Sequence, residues 1–342
     1  MNEDFICIIF SQYLQFAIQI GRQLVSLDIS GNKFPASELS PIMGAMNTNF
    51  SILRIKVDNQ KFDDVSTLQL AGSIENTRRF LHLNLNKCDI GPRAGTVIGL
   101  AMENLRKLQV INLESNGLGE KVAKKMAALL SSKKLRISTL RLSDNEFGSE
   151  GCMHIVSVLP NNKTLTDLDL SLNGMDGNVA LELAENTAIK MESGIVVRPA
   201  RLKRLNISHN NIGTEAGVAI IEALSTEKTT FMDLSNCALG PECGEALARG
   251  LRAITCGWSE LILEDNHLGK DGVNPIFWAL RRNTSILSLD LSGNGIGPVF
   301  GTEADGVGTY GTSVASFLEM NYIVRWLDLA VSDGPAKSEV RL

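Results

Sequence analysis

A motif of the form LxxLxLxxNxL recurs along this chain and leaves few folds open. LVSLDISGNKF runs from Leu24 to Phe34, LQVINLESNGL from Leu108 to Leu118, and LTDLDLSLNGM from Leu165 to Met175. The asparagine column, or what replaces it, falls at Asn32, Gln60, Cys88, Asn116, Asn145, Asn173, Asn210, Cys237, Asn266, Asn294 and Ser332. Most intervals are 27 to 29 residues; those from Asn173 to Asn210 and from Asn294 to Ser332 are 37 and 38. These are eleven units in register, the second and the last degenerate. A fixed period of this length means stacked repeats, each burying its apolar face only against its neighbours.

The chemistry of the columns accounts for the spacing. In Leu27-Asp28-Ile29 two apolar residues flank a polar one, which is a short strand with one buried face. The asparagine that follows can donate its side-chain amide to turn carbonyls that no regular ladder reaches. Cys88 and Cys237 occupy the same slot, and as small side chains with a weak S–H donor they read as structural rather than reactive. A unit usually then continues through glycine into a helix, as at Gly91-Pro92 before RAGTVIGLAMENL and Gly213-Thr214 before EAGVAIIEAL. Pro92, Ser149 and Thr214 are expected at helix starts. Aliphatic residues three and four apart turn one helical face inward. A unit of about 28 residues has room for a full helix, which a unit of 20 to 24 lacks.

These motifs resemble the ribonuclease-inhibitor type of leucine-rich-repeat protein over about residues 24–332. The resemblance implies an α/β leucine-rich-repeat solenoid, a horseshoe with parallel strands on the concave face and helices on the convex face. It also implies a protein-binding role, since the family includes cytosolic inhibitors, GTPase activators, sensor domains of immune receptors and regulators of actin capping protein. The expected division is an N-terminal capping helix over 1–23, the solenoid over 24–334 and a short tail over 335–342. The last strand, near Leu327–Leu329, is followed by about a dozen residues, too few to cover it well. A chain that ends this way is expected to be a fragment of a larger protein or to be covered by an oligomer partner.

Side chains alternate along a strand. With the leucines at five and three positions before the asparagine turned inward, those at six, four and two face the concave surface. Units 1–5 place Asp28, Arg54, Lys56, Asp58, His82, Asn84, Asn86, Glu114 and Arg141 there, three acids balanced by three bases. Units 6–11 place Asp167, Asp169, Arg204, Asp233, Glu260, Glu264, Asp290 and Asp328 there, seven acids against one base, beside Phe231 and Trp326. Aromatics among carboxylates make an anchor pattern for a protein interface. The expected site is therefore Asp169, Arg204, Phe231, Asp233, Glu260, Glu264, Asp290, Trp326 and Asp328, taking a basic segment of a partner protein. A solvated face that keeps the sheet soluble is the competing reading. The two long units, through 187–201 and the glycine-rich 297–312, are a second candidate, since loops on a rigid scaffold often carry function.

Other classes have little support. The net charge is −5 and the pI about 5.5, which disfavours nucleic acid as the partner. There is no GxxxxGK[ST], GxSxG or HExxH, so no catalytic residue and no cofactor is expected. The six cysteines form no CxxC, and the four histidines are scattered, so no metal site is expected. Reduced thiols fit a cytoplasmic protein. The apolar run 5–20 follows Asn2-Glu3-Asp4 and is broken by Ser and Gln, so it reads as an amphipathic helix covering the core rather than a signal or a membrane span. The Asn-x-Ser/Thr matches at Asn49, Asn162, Asn206 and Asn283 are then expected to be chance.

The leading reading is a non-catalytic interaction scaffold. One alternative is a GTPase activator of the Ran-activator type, although the chain ends SDGPAKSEVRL without the acidic tail that such activators carry. Another is the repeat region of an actin capping-protein regulator, to which NTSILSLDLSGNGIG (283–297) and FLEMNYIVRWLDL (317–329) are locally similar.

Overall fold

Short parallel strands alternate with helices throughout the chain. A computed structural model describes residues 3–32, 34–192, 195–197, 201–225, 229–253, 256–296, 310–330 and 339–340. The chain divides into two compact units, one formed by residues 1–158 and 168–173, the other by 159–167 and 174–342.

The first unit contains α1 (Glu3–Ile20), β1 (Ser26–Asp28), α2 (Ala36–Ala45), β2 (Arg54–Lys56), α3 (Asp64–Thr77), β3 (His82–Asn84), α4 (Gly91–Met102), β4 (Val110–Asn112), α5 (Gly119–Ser131), β5 (Thr139–Arg141) and α6 (Gly148–Val156). Strands β1 to β5 are parallel and in register, with Leu27, Ile55, Leu83, Ile111 and Leu140 forming one row. All five are buried, and each helix packs on the next. Ile18 of α1 is buried, and Asn49 Nδ2 donates to its carbonyl at 2.7 Å.

Strand β6 (Asp167–Asp169) lies at the division between the units. The second unit continues with α7 (Gly177–Thr187), β7 (Lys190–Glu192), β8 (Ile195–Val197), β9 (Arg204–Asn206), α8 (Thr214–Ser225), β10 (Phe231–Asp233), α9 (Pro241–Arg252), β11 (Glu260–Ile262), α10 (Gly269–Leu280), β12 (Ser288–Asp290), α11 (Tyr310–Met320), β13 (Trp326–Asp328) and β14 (Glu339–Val340). Strands β9 to β13 are parallel, with Leu205, Met232, Leu261, Leu289 and Leu327 forming the buried row. The first long unit is explained by β7 and β8, which pair antiparallel as a separate two-stranded sheet. The second long unit falls largely on 297–309, outside the described residues, and resumes as α11. Strand β14 pairs antiparallel with β13 through Val340 opposite Leu327 and Glu339 opposite Asp328.

The asparagine column sits in a repeated backbone turn. The residue before each column position has a left-handed φ in ten repeats, and only Gly31 and Gly293 of these are glycine. The turn exposes carbonyls to the interior, and the asparagine amide meets them. Asn116 Nδ2 donates to the carbonyls of Leu85, Leu113 and Glu114 at 2.8 to 2.9 Å. The other half of the amide also works: Asn116 Oδ1 accepts the backbone N–H of Cys88 at 2.9 Å. The thiol of Cys88 donates to the Val57 carbonyl and that of Cys237 to the Ile207 carbonyl, so these cysteines stand in for the amide. Gln60 explains the degeneracy of its repeat: its Oε1 accepts from Phe34, but its Nε2 is buried without a hydrogen-bond partner among the described residues.

Most helix starts are set at the position three residues after the column. Gly91, Gly119, Gly148, Gly213 and Gly269 hold left-handed φ values there, while Asp63 and Asp176 cap α3 and α7 through their side chains. Pro92 lies at the start of α4 as expected. Ser149 lies in the first turn of α6, directly after the left-handed Gly148. Thr214 begins α8, and its hydroxyl accepts the backbone N–H of Gly240 in the following repeat.

Candidate protein-interaction face

Strands β9 to β13 carry two outward rows on either side of the buried one. The first row is Arg204, Phe231, Glu260, Ser288 and Trp326; the second is Asn206, Asp233, Ile262, Asp290 and Asp328. Seven of the nine residues expected from sequence are therefore in two adjacent rows. Glu264 follows β11 and is exposed, on the same side by alternation. Asp169 is grouped with the first unit, where Coulombic repulsion links it to Glu114.

Arg204 organises the first row. Its guanidinium carbon lies 3.8 Å from the centre of the Phe231 ring, a cation–π contact. Its Nε is 3.7 Å from Asp167 and its Nη1 is 4.0 Å from Glu260. Half of the Arg204 side chain stays accessible, so these ion pairs add little stability. They do fix the arginine over the ring and leave Phe231 sandwiched in a charged surround. The repeat register already made Arg204 and Phe231 neighbours, each six before its column residue, but it did not say that the guanidinium lies over the ring.

The second row has a structural task that the charge count concealed. Asp233 Oδ1 accepts the backbone N–H of Ser235 at 3.0 Å and its hydroxyl at 2.7 Å. Asp169 does the same with Ser171, and Asp290 with Ser292. Asp328 accepts from the Ala330 N–H at 2.9 Å. Asn206 makes the equivalent pair with Ser208, and Asn84 and Asn112 accept the N–H two residues on. This position closes the strand by an Asx turn, and aspartate and asparagine do it equally well. The signal was present in the sequence as Asp/Asn-x-Ser at five strands, those of Asp28, Asp169, Asn206, Asp233 and Asp290.

Asp290 differs from its row-mates because it is buried. Burial pushes its carboxyl above the usual range, with Asp328 and Asp265 adding to the rise and the Ser292 hydrogen bonds opposing it. Its place in a partner contact is therefore small. The accessible negative charge of this face comes from Asp233, Glu260, Glu264 and Asp328.

Burial raises the thiols of Cys88, Cys237 and Cys243 to about 12, which keeps them protonated and poorly nucleophilic. Cys88, Cys152, Cys237, Cys243 and Cys256 are free thiols. Among the described residues no group of three or more His, Cys, Asp or Glu side chains is arranged to hold a metal ion, and no helix is long and apolar enough to cross a membrane.

Repeats of strand, asparagine turn and helix, stacked in parallel register, define a leucine-rich-repeat fold. Its 28-residue units resemble those of the ribonuclease-inhibitor type. The leucine-rich-repeat family profile matches residues 137–156, 161–184, 201–220 and 282–299. The chain is 24% identical over 277 residues to NACHT, LRR and PYD domains-containing protein 12 of Mus musculus, covering 80% of this chain and 26% of that protein. It is 22% identical over 277 residues to the ribonuclease inhibitor of Sus scrofa, covering 80% of this chain and 59% of the inhibitor. An internalin structure from Listeria monocytogenes superposes with a TM-score of 0.49 at 12% identity, covering 96% of this chain and 95% of the internalin. The chain thus spans only part of the length of these curated relatives.

Proposed function

We propose that the chain is a non-catalytic protein-interaction scaffold that holds a basic segment of a partner protein against the outward rows of β9–β13. The observation that carries this reading is the first row: Phe231 stacked under Arg204, flanked by Glu260 and followed by Trp326. An aromatic held rigid by its neighbours gives contact area at low entropic cost. Carboxylates around it fix the sign of the partner's charge and steer its approach. The similarity to a ribonuclease inhibitor, whose name states that it acts on another protein, supports the class of partner.

The test is affinity capture with the full chain and with a D233K/E260K/E264K variant, eluates being identified by mass spectrometry. Asp290 is left intact because lysine at that buried site would disturb the turn. Partners held by the wild type and absent from the variant support the reading. Identical eluates from two equally folded proteins would remove this face from consideration.

A further inference from the structure

At the end of α9 and α10 remote from the asparagine turns, the second unit has a cavity of about 770 Å³. Arg252, Arg281, Arg282, Trp278 and Thr284 are among the residues that line it, and among the described residues no acidic side chain does. Three guanidinium groups around one cavity stand out in a chain of net charge −5. None of the three is in an ion pair among the described residues. Arg281 lies with its guanidinium carbon 4.8 Å from the centre of the half-exposed Trp278 ring. Its Nη2 reaches Met320 Sδ at 2.9 Å, and its Nε is shielded from solvent with no hydrogen-bond partner among the described residues.

A shielded N–H with no acceptor costs free energy, so the Arg281 guanidinium is not fully held by its present surroundings and gains by turning toward an oxygen anion in the cavity. The bland account of these arginines is that cations favour helix C-termini. That account covers Arg252, in the last turn of α9, and in part Arg281, which follows α10. The two helix ends together supply about one negative charge, against three full positive charges at the cavity. The excess suits an anion of higher charge than a single carboxylate. A phosphomonoester carries close to two charges and three acceptor oxygens, which suit the forked geometry of guanidinium donors. The volume exceeds that of a phosphate group and has room for the residues on either side of it. The ring of Trp278 supplies an apolar wall for such a segment.

We infer that this cavity binds a phosphoserine or phosphothreonine side chain within a segment of a partner protein. The site shares no residue with the outward rows of β9–β13, so it stands or falls separately from the function proposed above.

The experiment is selection from degenerate peptide libraries with a fixed central phosphoserine or phosphothreonine, followed by fluorescence anisotropy on the best sequence with the full chain. The same peptide is measured without phosphate and with glutamate in its place, and inorganic phosphate and single-stranded RNA serve as further probes. Removal of the phosphate is expected to weaken binding at least about tenfold, and R252Q/R282Q to weaken it by a similar factor. Both substituted side chains are exposed, so the variant is expected to melt with the wild type. R281Q, read alongside, reports the buried Nε. Failure of the libraries to enrich, equal binding of the glutamate peptide, or an unchanged affinity in R252Q/R282Q would each overturn the inference. Binding of inorganic phosphate as tight as that of the peptide would make this a free-anion site, and tighter RNA binding would make it a nucleic-acid site; either result overturns it as well.

Discussion

Asn145 Oδ1 accepts the backbone N–H of Asn116 at 3.1 Å, joining column residues one repeat apart. Asn145 Nδ2 donates at the same time to the carbonyls of Leu113, Leu142 and Ser143 at 2.9 to 3.0 Å. One fully buried side chain therefore satisfies backbone groups of two successive repeats. Asn145→Ala strands several buried polar groups, each worth about 1–3 kcal/mol when unpaired. The expected loss is about 3 kcal/mol or more in urea unfolding. Asn145→Asp is expected to lose a comparable amount, because a carboxylate accepts but cannot donate. An aspartate variant as stable as the wild type would show that the donor half of the amide contributes nothing.

Cys237 is the weak member of the same ladder. Its thiol donates at 3.4 Å to the carbonyls of Ile207 and Ser235, and sulfur is a poor acceptor for the backbone N–H of Asn210. Asparagine at this position would restore the bonds that Asn145 makes in its own repeat. Cys237→Asn is expected to raise stability by about 1 kcal/mol, and Cys237→Ala to lower it. With the thiol held near 12, iodoacetamide at pH 8 is expected to leave Cys237 unmodified in the native protein and to label it in urea. Peptide mapping after the two treatments checks this.

The repeat was legible because its period comes from buried leucines and asparagines, and burial leaves few residue types acceptable. The face was only half legible. Alternation identifies which side chains point outward, so the rows of Arg204 and Asp233 could be listed from sequence. The work done by each could not. Asp233, Asp290 and Asp328 look like surface charge until the Ser235, Ser292 and Ala330 backbone contacts are seen. The Asn-x-Ser/Thr matches have the same explanation. Asn49, Asn162 and Asn283 are buried, and each accepts the N–H groups two and three residues on. The serine or threonine hydroxyl joins the same oxygen. Those triplets are helix-exit turns, a local signal visible in sequence and assigned there to chance.

Asp290 gives a pH dependence of known sign. Its folded carboxyl titrates above the ordinary 3.8 because burial disfavours the charge. Between the unfolded and folded values the native state binds the extra proton, so stability falls as pH rises through that window and the penalty is complete above it. Asp290→Asn keeps the Ser292 turn, as Asn206 does with Ser208, and removes the charge. The variant is expected to be more stable than the wild type at pH 7.5, with the gap narrowing as the pH is lowered toward the usual carboxylate range. Denaturant midpoints at a series of pH values measure it. A gap that stays constant, or widens in acid, would mean that the carboxylate is not penalised by burial.

Close helix packing in the second unit rests on two glycines. A Cβ on Gly244 of α9 would collide with the carbonyl of Gly272 in α10, and backbone cannot swing aside as a side chain does. Gly244→Ala must therefore push the two helices apart and disturb Leu247 and Phe277, both fully buried. Alanine gains about 0.5–1 kcal/mol of helix propensity over glycine, while overpacking of this kind costs about 1–3 kcal/mol or more. With rigid atoms on both sides the cost belongs at the upper end, and a net loss of about 2 kcal/mol is expected. Gly99 of α4 is the control. Its added Cβ meets Lys125 Cγ at 2.6 Å, on a side chain long enough to move. Gly99→Ala is expected to lie within about 1 kcal/mol of the wild type, the propensity gain offsetting the shift of Lys125 from Glu103. Thermal and urea unfolding of the two variants side by side decide the matter. Equal destabilisation would mean that glycine matters here for its backbone freedom alone and not for the approach of α9 to α10.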